Sequence, residues 1–350
     1  MSGQTPSTAA RVVIRPPNWL GDAVLALPAV AAISRHFAAS EVTVAASPAV
    51  AALFQEETGA RVDHVISLPE STAEAVAVLE AGRFDVGVLF PNSFRSGWQF
   101  WRANIPERWG YPTSARGVLL TRRGRRVRRP AANHQIDYYR DLVIGLGVSC
   151  DVDEIPRVRP AAASIARADA LLAERRIAPG TVLVGFAPGA AYGQAKQWPP
   201  ERVAAVMARA ARERGVTPVI VGASHDRDAS RAIESWLRAN AGDVASRVVN
   251  LAGRTSLGSL VGVLARMSAF VANDSGAMHL AAAVGLPVVA IFGPTNERAT
   301  HPIGDYDLMS QPVFCRPCML RDCPIDHRCM KRITVDAVYG ALARRIEAAR

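Results

Sequence analysis

The feature that most constrains this chain is an alternation that occurs twice. In the first half, the apolar, β-branched runs Arg11–Arg15, Val42–Ala46 and Val86–Phe90 are separated by helical stretches. One of these ends near Phe37 and another covers Ser71–Ala81. In the second half, the runs Val182–Ala187, Thr217–Gly222, Phe270–Ala272 and Val288–Phe292 alternate with helices near Glu201–Gly215, Asp226–Asn240, Leu257–Arg266 and Ala277–Val284. Runs that are apolar from end to end have no face to give to water. They fit strands of parallel sheets covered by helices on both sides. Two such blocks predict an α/β protein with two doubly wound, Rossmann-like domains. The length of 350 residues suits two cores better than one. Pro156, Pro160 and the pair Pro179-Gly180 bracket a connecting helix, so the domain change falls near residues 160–180. We expect an N-terminal domain over 11–165 and a C-terminal domain over 175–335. The amphipathic tail 336–350 could dock on either, including back on the first.

Charge narrows the partners. The formal net charge is +10, which favours polyanions: nucleic acid, an anionic membrane surface or phosphorylated substrates. Arg122–Arg129 reads RRGRRVRR, a loop whose guanidinium forks match phosphate or carboxylate. A solvated surface loop is the plainer alternative. No aromatic residues interleave with it and no nucleic-acid-binding signature surrounds it, so nucleic acid is the weaker partner. No apolar run reaches the ~20 residues of a membrane span, and the N-terminus lacks a signal-peptide core. The expectation is a cytoplasmic protein.

Function should be written at the strand-to-helix turns, because open α/β sheets bind ligands beyond the carboxyl ends of their strands. Two such domains would face each other across a cleft. No G-x-G-x-x-G follows either first strand, which argues against a dinucleotide oxidoreductase. The first turn instead reads NWLGDAVLALPAV. Its Asp22 is either a helix-capping acid or a general base kept ionised by the helix N-terminus. In the second half, PGAAYGQAKQWP offers small residues, Ala190 and Ala191 among them, whose backbone can approach a ligand, and the cation of Lys196. The turn NDSGAMH places Asp274, Ser275 and Gly276 at another helix start, with His279 one turn on. A free helix N-terminus is an anion site. A third turn, IFGPT, lies at the same sheet edge. Together they suggest phosphate binding in the second half.

These same stretches carry a resemblance. NWLGDAVLALPAV, PNSFRSGW (Pro91–Trp98), PGAAYGQAKQWP and NDSGAMHLAAAVGLPVVAIFGPT resemble the ADP-heptose:lipopolysaccharide heptosyltransferases of glycosyltransferase family 9. Pro16–Trp19 and Pro91–Trp98 resemble the type II subgroup. The likeness covers roughly residues 11–335. It implies a GT-B fold, catalysis that requires no cofactor or metal, and ADP-L-glycero-β-D-manno-heptose as donor. The implied acceptor is the first heptose on Kdo2-lipid A, linked α-1,3 with inversion. By the same resemblance Asp22 is the base. Lys196, Asp274, Ser275, Gly276, His279, Ala190 and Ala191 meet the donor. Asn18, Arg95, Arg122, Arg125 and Arg126 are expected toward the acidic lipid-linked acceptor, with peripheral attachment to the inner membrane. A structural salt bridge is the alternative role for Arg95. Type I or III transferases with another acceptor, a sugar-nucleotide 2-epimerase, and a non-catalytic sugar-nucleotide or lipopolysaccharide-binding protein remain alternatives.

Cys315, Cys318, Cys323 and Cys329 are spaced C-x₂-C-x₄-C-x₅-C, with His327 among them. That spacing could hold a structural zinc or an iron–sulfur cluster, or simply four free thiols. A reducing compartment disfavours disulfides.

Overall fold

The computed structural model describes residues 10–126 and 134–348. The chain divides into two compact units between Arg157 and Val158. Each is built on a parallel six-stranded sheet. In the N-terminal unit the strands are β1 (Arg11–Arg15), β2 (Glu41–Ala46), β3 (His64–Ser67), β4 (Val86–Leu89), β5 (Glu107–Gly110) and β6 (Arg122–Arg123), in the order β3-β2-β1-β4-β5-β6. In the C-terminal unit they are β7 (Leu183–Ala187), β8 (Thr217–Ile220), β9 (Val249–Asn250), β10 (Met267–Asn273), β11 (Val288–Phe292) and β12 (Tyr306–Ser310), in the order β12-β11-β10-β7-β8-β9. Counted from its own first strand, each sheet runs 3-2-1-4-5-6, the Rossmann order. The apolar runs are the central strands: β4, β7 and β11 are buried along their whole length.

Five strands had no apolar run to announce them: β3, β5, β6, β9 and β12. Each is short or half-exposed; four are sheet edges and β5 lies beside one, where a flank needs no apolar side chain. β3 and β12 have no buried residue, while β6 and β9 have two residues each. Two of the longer helices were also unannounced, Phe94–Arg102 and Gln135–Gly145.

One domain expectation changes, and one that was left open is decided. The connecting helix, Ala162–Glu174, belongs to the C-terminal unit. It packs on Leu257–Leu264 so closely that a Cβ on Gly262 would come within 2.2 Å of the Ser164 carbonyl oxygen. The final helix, Val335–Ala348, also belongs there, rather than to the N-terminal domain. Val338, Leu342 and Ile346 are buried in one cluster with Val203, Met207 and Val289. Tyr339 donates to Glu213 Oε2 at 2.6 Å.

Candidate functional site

In the N-terminal unit the chain leaves β1 through Pro16-Pro17-Asn18-Trp19 and enters the helix Leu20–Leu25. Asp22 is in the first turn of that helix and half-buried. The Tyr139 hydroxyl, from the helix Gln135–Gly145, donates to Asp22 Oδ1 at 3.1 Å. Burial, then the Asp22 charge, pushes the Tyr139 phenol far above its ordinary range, so it remains a proton donor to the carboxylate. A helix N-terminus and a hydroxyl donor both favour the ionised acid.

Asn18 accepts from Arg15 Nη2 at 3.2 Å. Arg95 is exposed in the first turn of Phe94–Arg102 and donates to the Glu70 carbonyl. It forms no salt bridge among the described residues, so that alternative role lapses. Arg122, Arg125 and Arg126 are exposed. The Arg122 guanidinium lies 4.3 Å over the Trp109 ring, which fixes it in place. The rest of that arginine run, 127–129, is outside the described residues.

In the C-terminal unit the turns after β7, β10 and β11 are sewn together. Lys196 Nζ lies 2.6 Å from Asp274 Oδ2, and Thr295 Oγ1 donates to the same oxygen at 2.7 Å. Asn273 Nδ2 donates to the Pro188 carbonyl at 2.7 Å, and the Trp198 N–H donates to Asn273 Oδ1 at 3.2 Å. Lys196 and Asp274 were read as separate ligand contacts; they are in fact an ion pair, with side chains only 13% and 6% exposed. Ser275 stands at the N-cap of the helix Gly276–Val284 in an extended conformation, but its side chain caps nothing. Its buried Oγ has no hydrogen-bond partner. The first-turn N–H groups are therefore left to a ligand or water. His279 is buried on that helix, Ala190 is buried and Ala191 exposed.

The cysteine segment folds around a common space. Cys315, Cys318, Cys323 and Cys329 line one small cavity together with His327, Asp326 and Ala195. Yet among the described residues no three Cys, His, Asp or Glu side chains are arranged to hold one ion. Cys329 is on the helix Arg328–Lys331 and 6% exposed, and burial pushes its thiol up. None of the four is in a disulfide. The segment also backs the Lys196 loop. The Ala195 N–H donates to the Arg321 carbonyl at 2.9 Å. Tyr192 Oη donates to the Met319 carbonyl at 2.8 Å. His327 Nε2 lies 2.7 Å from the Ala195 carbonyl oxygen.

The model of glycosyltransferase family 9 (heptosyltransferase) matches residues 74–328. The chain belongs to this family. Among its relatives, lipooligosaccharide heptosyltransferase 2 of Haemophilus influenzae is 31% identical over 234 residues, 64% of either chain. Lipopolysaccharide heptosyltransferase 2 of Salmonella typhimurium is 32% identical over 241 residues, again 64% of either chain. The chain thus spans about two thirds of the length of these curated heptosyltransferases. The structure of E. coli ADP-heptose LPS heptosyltransferase II covers 97% of this chain and 99% of its own, with a TM-score of 0.81 and 23% identity. Two Rossmann-like units are therefore the heptosyltransferase fold.

Three residues beside the candidate site residues escaped the sequence reading. Tyr139 is far from Asp22 in sequence and gave no signal. Thr295 was visible only as part of the IFGPT turn. Arg15 ends an otherwise apolar strand, and a charge at that place was the signal to notice.

Proposed function

We propose that this family 9 member transfers L-glycero-D-manno-heptose from ADP-heptose to the first heptose of heptosyl-Kdo2-lipid A, inverting the anomeric centre. The observation that carries the reading is Asp22, half-buried at the turn after β1 with the Tyr139 hydroxyl on its Oδ1. A base must be ionised and within reach of the proton it takes. Asp22 removes the acceptor hydroxyl proton as that oxygen bonds to the anomeric carbon. The bond from that carbon to the β-phosphate oxygen breaks, and ADP leaves with the electron pair. One carboxylate suffices because the leaving group is already anionic.

The C-terminal unit is the donor side of this reading. The uncapped N-terminus of Gly276–Val284, with Ser275, His279 and the backbone at Ala190 and Ala191, receives the diphosphate. Lys196 turns part of its charge from Asp274 to the incoming phosphate. These groups do the electrostatic work, and transfer requires no metal or other cofactor.

Asn18, Arg95, Arg122, Arg125 and Arg126 serve the acidic acceptor. Peripheral attachment to the inner membrane suits the helix Phe94–Arg102, which exposes Phe94, Trp98 and Trp101 on one face beside Arg95 and Arg102. Trp98 stacks with Phe94 and lies 4.9 Å from the Trp101 ring, centre to centre. Aromatic rings and arginines together favour the headgroup layer of an anionic bilayer. No helix among the described residues is long and apolar enough to cross a membrane.

The test is ADP release from ADP-heptose in EDTA, with Kdo2-lipid A and heptosyl-Kdo2-lipid A offered separately. Turnover with the heptosylated acceptor alone is expected. Turnover with the bare acceptor assigns a type I activity. Silence with both overturns the transferase reading in favour of a binding protein.

A further inference from the structure

One large cavity takes no part in the site described above. It is an open groove of about 960 Å³ in the C-terminal unit. None of Lys196, Asp274, Ser275 or His279 lines it. Six guanidinium groups do. Arg175 and Arg176 follow the helix Ala162–Glu174, Arg227 and Arg231 are in the first two turns of the helix Arg227–Asn240, and Arg247 and Arg254 flank β9. Among the described residues, Glu234 is the one carboxylate in the lining. Of the six arginines, only Arg231 is in an ion pair among the described residues, with Asp228. Like charges gathered around one concavity repel each other and draw in an anion.

The groove also contains a strand edge. β9 ends its sheet and pairs only with β8. Leu251 and Gly253 donate their N–H groups to the Ile220 and Gly222 carbonyls, toward β8. Backbone direction alternates along a strand, so the N–H and C=O groups of Val248 and Asn250 face the open side. Both residues line the groove. We propose that this groove docks an extended acidic polypeptide segment, which adds as a strand beside β9 and sets its carboxylates against the arginines. Guanidinium forks suit carboxylates. Charge alone would suit a polyphosphate equally well. The edge decides between them, because outward carbonyls accept from peptide N–H groups but repel phosphate oxygens. Charges beside an edge also deter other strands from pairing there, and an acidic segment is the kind these charges admit. The inference is independent of the transferase reading.

The probe is an octaglutamate peptide, acetylated and amidated at its ends and titrated by calorimetry into the full chain. The wild type should bind it, and raising the salt should weaken binding. The double variant Arg176→Glu, Arg254→Glu reverses two exposed charges and should lose about tenfold or more of the affinity, with an unchanged Tm. The milder Arg247→Gln should lose several-fold and keeps the test open if the double variant misfolds. Two methylated peptides test the strand pairing. Octaglutamate N-methylated at alternate amides keeps one hydrogen-bonding edge and should bind as the parent does. The same peptide N-methylated at every amide should lose about tenfold or more, since no N–H remains for β9. Bound parent peptide should slow hydrogen exchange at the Val248 and Asn250 amides. No binding by the wild type at low salt, or equal binding by the wild type and the arginine variants, overturns the groove. Equal affinity of the two methylated peptides, with no change in exchange at Val248 and Asn250, leaves a site for any polyanion and overturns the docked strand.

Discussion

At the carboxyl ends of β7, β10 and β11 the charges are matched: Lys196 meets Asp274, and Thr295 completes the carboxylate. At the carboxyl ends of β1 and β4 they are not. Among the described residues, Arg15 is buried near Arg95 with no acid paired to either, and Arg116 is wholly buried with carbonyl and hydroxyl partners only. The strand order of the two sheets is the same, so topology does not explain the contrast. Under the proposed function, ligand chemistry would. A donor that brings its own diphosphate would need amides and a cation already held in place in the C-terminal unit. An acidic acceptor would need positive charge left unneutralised in the N-terminal unit, and Asp22 would be the group that reacts.

Removing Asp22 should break the contrast most severely. Asp22→Asn keeps the shape but not the base, and turnover should fall by about 10³-fold, within the usual range for general-base loss. Steady-state ADP release measures it, and a loss smaller than tenfold would remove Asp22 from proton transfer. Next comes Lys196→Ala, which leaves the Asp274 carboxylate buried without its cation. Stability should drop by about 3–5 kcal/mol, read from the denaturant midpoint, together with donor affinity. Adding Asp274→Asn should restore most of the stability but not the donor affinity. If the double variant binds donor normally, the pair is only structural.

Arg116→Met sharpens the difference between two kinds of buried arginine. Arg116 donates to the Tyr111 carbonyl at 2.8 Å, to Ser96 Oγ at 3.1 Å and to the Pro91 carbonyl. Its loss should cost about 3 kcal/mol through acceptors left unsatisfied. Arg15→Met should not destabilise. Equal destabilisation by the two would erase the distinction. The smallest effect is expected from Gly193→Ala. A Cβ there would come within 2.4 Å of the Arg321 carbonyl oxygen, where the cysteine segment backs the Lys196 loop. Relief of that clash should cost about 1–3 kcal/mol and weaken donor binding several-fold. Acceptor KM should not change. A variant with wild-type donor affinity would show that the backing segment does not position the loop.

The legible part of the fold was its buried part. β1, β4, β7 and β11 could be read because strands covered on both faces must be apolar throughout. β3, β5 and β12 could not, because half-exposed strands at or near an edge tolerate residues such as His64, Glu107 or Asp307, which look like loop. The site followed a similar rule. Asp22, Lys196, Asp274 and His279 each stand in a local strand–turn–helix pattern. What could not be read was pairing across the chain. The Tyr139 hydrogen bond to Asp22 joins residues 117 apart, and the Lys196–Asp274 pair joins residues 78 apart. No local spacing encodes either. The contacts of the cysteine segment could not be read for the same reason: its Met319 and Arg321 carbonyls accept from the distant Lys196 loop.

The most direct test of the division between donor and acceptor sides is calorimetric titration of ADP-heptose into Asp22→Asn. With the base removed and the C-terminal unit untouched, donor affinity should stay within about threefold of wild type, under 1 kcal/mol, while turnover is lost. Loss of donor binding in that variant would contradict the account, because Asp22 would then be holding the donor or the fold and not the acceptor proton.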